Sequence, residues 1–297
     1  MDQQLLAFLT VAEQRNFTRA AELLHTSQPS VSQHIRNLES RLGAKLFERT
    51  NKYVRLNKAG EIVYSRAKEI LRQYELMNRL VDELSHEARG SLEIGASYTF
   101  GEYVLPRLLA KFCAAYPNIV PTVTIANSTE VIAQIRDGAI DIGIVEGSFV
   151  DGDDVAVETL AEDRLVIVAS SEHPLRNGNP VSPSDLEQQR WIVREEGSGT
   201  REATDKAFAR LGIAPRSMLA FGSTQAVKEA VEAGMGMTIL SNWAIQKELR
   251  LASLSVIPVA DSLDKRTFSV VTRKSEFQSK AVKLFHEALL PGVRDYA

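Results

Sequence analysis

A single cysteine, Cys113, stands in the 297 residues, so no disulfide can close within the chain and a reducing compartment is expected. No run approaches the roughly 20 apolar residues that a membrane-spanning helix needs, so no membrane association is expected. The opening MDQQLLAFLTVAEQRNF has no basic stretch ahead of an apolar core and does not read as a signal peptide. Cytoplasm is therefore the expected location. Enzyme signatures are missing as well. There is no GxSxG, HExxH, CxxC or phosphate loop, and the five histidines (His25, His34, His86, His173 and His286) are scattered without ligand spacing. Hence no enzymatic activity, no metal and no cofactor is expected. Cys113 falls beside Phe112 on the apolar side of a helical pattern, where a buried small hydrophobe and a redox sensor both remain open.

What is present is the composition of an ordinary globular protein, 44% hydrophobic and 25% charged, on a chain long enough for two or more domains. The net charge of −3 conceals an asymmetry. Residues 1–58 hold nine Lys or Arg against five acids, residues 59–90 five against six, and the remainder is acidic. A basic head on an acidic body points to a polyanion met by the head alone.

Three short helical patterns open the chain. The first starts at Asp2 as cap and carries Leu5, Phe8, Leu9 and Ala12 on one face. The second starts at Thr18, with Ala20, Ala21, Leu23 and Leu24. After a break at His25 and Thr26, the third starts at Ser27, with Pro29 in its first turn. Val31, Ile35, Leu38 and Leu42 form its core stripe, and the opposite face carries Pro29, Ser32, Gln33 and Arg36 with no acid before Glu39. Such a face suits a recognition helix in a major groove. Residues 45–47 and 53–56 read as two short strands around a basic turn with Arg49, Asn51 and Lys52, a wing beside that helix.

The run FLTVAEQRNFTRAAELLHTSQPSVSQHIRNLESRLGAKLFERTNKYVRLNKAG resembles the DNA-binding signature of LysR-type transcription regulators. The match is dense over about the first 60 residues, and the organisation beyond also agrees. The resemblance implies double-stranded DNA as partner, with Thr26, Ser27, Gln28, Pro29, Ser30, Ser32, Gln33, Arg36, Arg49 and Lys52 as candidate contacts.

From Glu61 to Glu87 there is no proline and no glycine, and Val63, Ala67, Ile70, Tyr74, Met77, Val81 and Leu84 repeat every 3.5 residues on average. That repeat predicts a helix paired with its copy in a second subunit; a helix packed on its own domain is the alternative. Members of the resembling family dimerise through a linker helix here and are often tetramers, which leaves homodimer and homotetramer open. Gly90 ends the segment.

Beyond Ser91, SLEIGAS, TVTIA, IDIGIVEG, RLVIVAS, WIVR, MTILS, SVIPV and FSVVTR read as strands. Helices are expected near 101–115, 129–137, 201–211, 224–233, 242–249 and 277–290. This alternation predicts largely parallel sheets, and over 200 residues of it usually divide into two lobes. The fold class expected is thus an all-α winged helix-turn-helix, a long linker helix and an α/β two-lobed body. The family resemblance adds that the body is similar to type 2 periplasmic binding proteins. It also sets the limits: head 1–58, linker helix 59–90, lobe I 91–161 plus 267–297, lobe II 162–266. A transport binding protein would share the body but not the head.

Several strands run into hydroxyl residues just ahead of a helix: Ser97, Tyr98 and Thr99; Ser128 and Thr129; and Ser198, Gly199 and Thr200. Such loops favour anions at the carboxyl ends of strands, although each hydroxyl can equally be a helix cap. In the resembling family the equivalents of 97–99 and 128–129 line an effector pocket, to which Glu146 and Thr224 are added. GSGTR also resembles members tied to sulfur assimilation and carbon fixation, which implies a small anionic effector. RNA polymerase stands open as a further partner. Trp191 and Trp243 are expected in the core.

Overall fold

In a computed structural model the described residues are 3–49, 53–83, 89–147, 149, 152, 154–176, 180–260, 263–274 and 278–294. They fall into two compact units, 1–84 and 85–297. The first unit contains α1 (Gln3–Gln14), α2 (Phe17–Leu23), α3 (Gln28–Leu42), β1 (Phe47–Arg49), β2 (Val54–Leu56) and α4 (Lys58–Glu83). Phe8, Leu9, Ala20, Val31, Ile35 and Leu38 meet in one core, as their spacing predicts, joined by Val11, whereas Leu42 is exposed. Phe47 joins that core with its ring 5.4 Å from Phe8, which fixes the wing to the helices.

Three local expectations need correction. Helix α2 is capped by Asn16, not Thr18; the Asn16 side chain accepts from the amides of Thr18 and Arg19 at 2.8 and 3.0 Å. Strand β1 starts at Phe47 because the Leu46 N–H donates to the buried Glu39 carboxylate at 3.0 Å, so Leu46 is tied to α3. The wing strands pair antiparallel, Phe47 opposite Leu56 and Arg49 opposite Val54. The seven-residue repeat of α4 divides in two. Ala67 is buried in the head core with Val63, Tyr64 and Leu71 against it, while Ile70, Tyr74, Met77 and Val81 are exposed. Gly60 permits the first part: a Cβ there would lie 2.1 Å from the Leu46 carbonyl oxygen, so only glycine brings the helix this close. The cap expected at Asp2, and Leu84, lie outside the described residues.

The second unit continues with β3 (Gly90–Ser97), α5 (Tyr98–Tyr103), α6 (Leu105–Ala115), β4 (Ile119–Ala126), α7 (Ser128–Arg136), β5 (Ile142–Glu146), β6 (Val155–Asp163) and β7 (Leu165–Ser170). Then come α8 (Pro183–Glu187), β8 (Arg190–Arg194), α9 (Gly199–Leu211), β9 (Ser217–Phe221), α10 (Thr224–Glu232) and β10 (Met237–Ser241). The last elements are α11 (Gln246–Leu251), β11 (Leu254–Val256), β12 (Arg266–Arg273) and α12 (Lys280–Arg294). One sheet has the order β4-β3-β5-β12-β6 and the other β11-β7-β10-β8-β9; we call their lobes I and II.

The sheets are mixed rather than largely parallel. In lobe I, β12 runs antiparallel to both β5 and β6, and in lobe II β7 runs antiparallel to β10 and β11. These antiparallel strands flank the two passages between lobes, at Arg164 and between Val256 and Arg266, so the chain enters each sheet against its parallel set. Strands β6 and β9 escape the apolar pattern: β6 carries Glu158, Glu162 and Asp163, and β9 is an edge strand with an exposed face. The helix expected at 101–115 is broken at Val104, because Pro106 has no N–H with which to continue the ladder of α5. Trp191 is buried in the lobe II core, its Nε1 donating to the Leu186 carbonyl at 3.0 Å, and half-buried Trp243 packs on Phe268 of lobe I. Cys113 is half-buried.

Candidate functional site

Ser27 accepts from the Ser30 amide at 3.4 Å as cap of α3, and Pro29 occupies the first turn. Thr26, Ser27, Gln28 and Pro29 are exposed at this end, and Ser30 is half-buried. Further along, the Gln33 side chain links its neighbours. Its Nε2 donates to Asn37 at 2.8 Å, and its Oε1 accepts from Arg36 Nη2 at 2.8 Å. Gln33 and Arg36 are exposed, so a preformed polar strip lies along the helix. Ser32 departs from the open face expected for it. It is only 8% exposed, and its Oγ accepts from Gln28 Nε2 at 2.9 Å. Glu39, the first acid of the helix, is buried and spent on the Leu46 amide and Lys45 Nζ. Lys52 lies outside the described residues, as does the side chain of Arg49.

In the body, the chemistry gathers where β3, β5 and β12 of lobe I face the start of α9 in lobe II. Glu146, the last residue of β5, is buried at the centre. Its Oε2 accepts from Ser97 Oγ at 3.0 Å. Its Oε1 accepts from Thr99 Oγ1 at 3.1 Å and, across the lobes, from Thr200 Oγ1 at 3.0 Å. Ser128 Oγ donates to the Glu146 carbonyl at 2.9 Å and accepts from the Glu146 amide at 3.3 Å. Gly199 is the point of closest approach: a Cβ there would lie 1.8 Å from the Glu146 carbonyl oxygen. Ser198 caps α9 through the Thr200 and Arg201 amides.

Two buried residues not foreseen from the sequence complete this group. Arg266 opens β12 and sends Nη1 to Thr200 Oγ1 at 2.8 Å, Nη2 to Thr99 Oγ1 at 3.2 Å and Nε to Asp163 Oδ2 at 2.6 Å. Its Nη1 also lies 3.4 Å from Glu146 Oε1. Ser241 Oγ holds the other Asp163 oxygen at 2.6 Å. Burial works to lower the Arg266 pKa, yet the Glu146 and Asp163 carboxylates more than offset it and hold it above the ordinary arginine value. Asp163 is pushed above the ordinary carboxylate value by burial, with Arg266 and Ser241 pulling the other way. The available signal was an arginine at the start of the largely buried strand β12; Asp163, at the end of the acidic strand β6, gave none.

The remaining expected residues lie apart from Glu146. Thr224 accepts from Arg194 Nη1 at 2.9 Å, and the Arg194 guanidinium lies 4.3 Å from the Tyr98 ring centroid. Thr129 donates from Oγ1 and from its amide to the Gly197 carbonyl, both at 3.2 Å, at the exposed rim. A cavity of about 240 Å³ opens beside the cluster, lined by Gly147, Lys206, Lys265, Arg266 and, of the ten expected residues, Gly199 alone. Among the described residues no group of His, Cys, Asp or Glu is arranged to hold a metal, and no helix is long and apolar enough to cross a membrane.

Residues 85–294 match the LysR substrate binding domain, and residues 3–61 match the bacterial regulatory helix-turn-helix protein, lysR family. The chain belongs to the LysR family. It is a LysR-type transcription regulator with a DNA-binding head and an effector-binding body, not an enzyme. Among its relatives is the HTH-type transcriptional regulator CysL of Bacillus subtilis (strain 168), 39% identical over 267 residues, or 90% of this chain and 89% of that one. The RuBisCO operon transcriptional regulator of Allochromatium vinosum is 33% identical over 288 residues, covering 97% and 95%. The regulatory domain of CcmR from Synechocystis PCC6803, solved in complex with 2-PG, superposes with a TM-score of 0.63 at 27% identity. That comparison covers 68% of this LysR-type chain and 97% of the CcmR domain.

Proposed function

We propose that this LysR-type regulator is a cytoplasmic, sequence-specific DNA-binding protein controlled by a small anionic effector held between lobes I and II. The observation that carries the effector reading is the convergence of Ser97, Thr99, Thr200 and the buried Arg266 guanidinium on a single carboxylate position, with donors from both lobes. Donors of that kind, shielded from water, favour an anion far more than they would at the surface. The CcmR domain bound to 2-PG supports a small ligand in a body of this shape.

DNA is met by the exposed polar strip of α3 with Gln28, Gln33 and Arg36, helped by Arg49 and Lys52 of the wing. The exposed side chains of Ile70, Tyr74, Met77 and Val81 pair α4 with its copy in a homodimer or homotetramer. The working division is 1–58 for DNA binding, 59–90 for dimerisation, 91–163 with 266–297 for lobe I and 164–265 for lobe II, the crossovers expected at 162 and 266 being moved because β6 runs to Asp163 and β12 begins at Arg266. RNA polymerase is the further partner of an activating regulator. The test is a gel shift on the DNA upstream of the chain's own gene, with a thermal-shift screen of small anions and footprinting with each hit. Retarded DNA whose protection changes with a hit supports the reading; no binding there, or no anion that alters protection, overturns it.

A further inference from the structure

The side-chain donors that support an anionic effector are already occupied in this structure, and the occupant belongs to the chain itself. Glu146 takes the hydroxyl protons of Ser97 and Thr99 from lobe I and of Thr200 from lobe II. Arg266 has no idle nitrogen: Nε goes to Asp163, Nη1 to Thr200 and Nη2 to Thr99. The Glu146 main chain is held as well, with Ser128 on its amide and carbonyl and Gly199 of lobe II packed on its carbonyl oxygen. One residue thus satisfies hydroxyls of both lobes at once, in a place where the lobes touch backbone to backbone.

A second carboxylate, sulfate or phosphate cannot share these donors with Glu146. Two like charges a few ångströms apart in a buried site repel strongly, and each hydroxyl has one proton to give. We infer that Glu146 is a resident anion that holds the effector's place, clasps lobe I to lobe II when the effector is absent, and must withdraw its carboxylate for the effector to bind. This deepens the effector reading proposed above and rests on it. It makes Glu146 the residue that sets how tightly an anion is held, because every ligand competes with a tethered carboxylate that has its hydrogen bonds already made. It also gives the ligand a means of acting: withdrawal of Glu146 removes one of the bonds that tie Thr200 to lobe I and leaves the one from Arg266 Nη1, so the two lobe arrangements differ in their contacts with the ligand.

The test is removal of the tethered carboxylate and replacement by a free one. Full-length Glu146→Ala leaves the three hydroxyls and Arg266 around a vacancy the size of a small carboxylate. Formate, acetate and sulfate are the probes, titrated by calorimetry and by thermal shift against chloride at equal ionic strength. Expected is formate or acetate binding to Glu146→Ala at least about tenfold tighter than to the unsubstituted protein, a difference of about 1.4 kcal/mol, with recovery of the lost melting midpoint. Adding Thr99→Val to Glu146→Ala should remove the gain. Glu146→Gln, which fills the space without the charge, should gain no anion binding. Should Glu146→Ala fold only when formate or acetate is present, that rescue supports the inference; failure to fold in both, or a folded variant without anion gain, overturns it. Rescue does not depend on finding the natural effector. Lost rescue with an intact effector response therefore sinks this inference alone, whereas rescue in a protein that no small anion regulates counts against the reading beneath it.

Discussion

The guanidinium of Arg194 in lobe II, 1% exposed, lies 4.3 Å from the centroid of the Tyr98 ring in lobe I. The same group donates to Thr224 and, through two nitrogens, to both Glu195 oxygens at 2.7 Å. Tyr98→Leu removes the ring face and should lower body stability by about 1 kcal/mol. Arg194→Lys should cost more, since an ammonium cannot reproduce the fork that meets Glu195 and Thr224. Urea unfolding with an unchanged slope is the measurement, and equal midpoints for both variants and the unsubstituted protein would show that the stacking contributes nothing.

Asp163 sets a pH dependence. Its folded pKa is raised above its ordinary value, first by burial, so the folded state holds the proton more tightly than the unfolded chain does. Its favourable contribution is complete below the unfolded value of 3.8 and is lost as pH rises through the higher folded value. Asp163→Asn carries a constant penalty for the altered Arg266 contact but lacks this slope. The stability of Asp163→Asn relative to the parent should therefore rise with pH above 3.8, by at most about 1.4 kcal/mol per pH unit, and then level off. Parallel stability curves across that window would contradict the assignment.

Ser128 and Thr99 should separate under substitution. Among the described residues Ser128 Oγ is bonded only to the Glu146 backbone, so Ser128→Ala should act on stability, by about 1–3 kcal/mol for buried groups left short of partners. Thr99 Oγ1 lies between the Glu146 carboxylate and Arg266, so Thr99→Val should change ligand response as well. Melting midpoints read beside footprinting with an effector distinguish the two, and identical behaviour would refute the division.

On the head, Gln33→Ala and Arg36→Ala dismantle the exposed strip and should each cost about 1–3 kcal/mol of operator binding if they read bases. Ser32→Ala should cost less, because its hydroxyl is nearly buried and engaged by Gln28. Gel-shift titrations at one salt concentration rank the three, and a Ser32 effect as large as that of Arg36 would reverse the argument.

Along α4, the exposed stripe and the buried one should fail in different ways. Glutamate at both Ile70 and Met77 should dissociate the subunits of a folded protein, since each would bury an unpaired charge at a paired seam. Ala67→Asp should instead unfold the head, because Ala67 sits in its core. Sedimentation and circular dichroism separate these results, and an unchanged assembly in the Ile70 and Met77 variant would place the main subunit contact elsewhere.

Local chemistry by itself determined a good part of this protein. The stripe Val31, Ile35, Leu38 packs inward because a helix repeats every 3.6 residues, and Ser27, Pro29 and Gly43 mark the two ends of α3 through groups within a few residues of each other. The alternation of strand and helix beyond Ser91 was legible for the same reason wherever an element carries its own apolar period, which β6 and β9 do not. Tertiary structure alone decided where the seven-residue repeat of α4 turns from the head core to solvent, since Gly60 and Ala67 depend on Leu46 and its neighbours. It alone decided that β12 in lobe I and β7 in lobe II run against the parallel strands of their sheets. It also decided what the hydroxyls do. Ser198 is a cap, Ser97 and Thr99 turn to Glu146, and Thr224 turns to Arg194. Periodicity carries no record of these pairings, because Thr99, Glu146, Thr200 and Arg266 are 47, 54 and 66 residues apart along the bonds that join them. Only the meeting of lobe I with the start of α9 in lobe II brings those charges and hydroxyls out of water together, and burial then obliges each to find a partner.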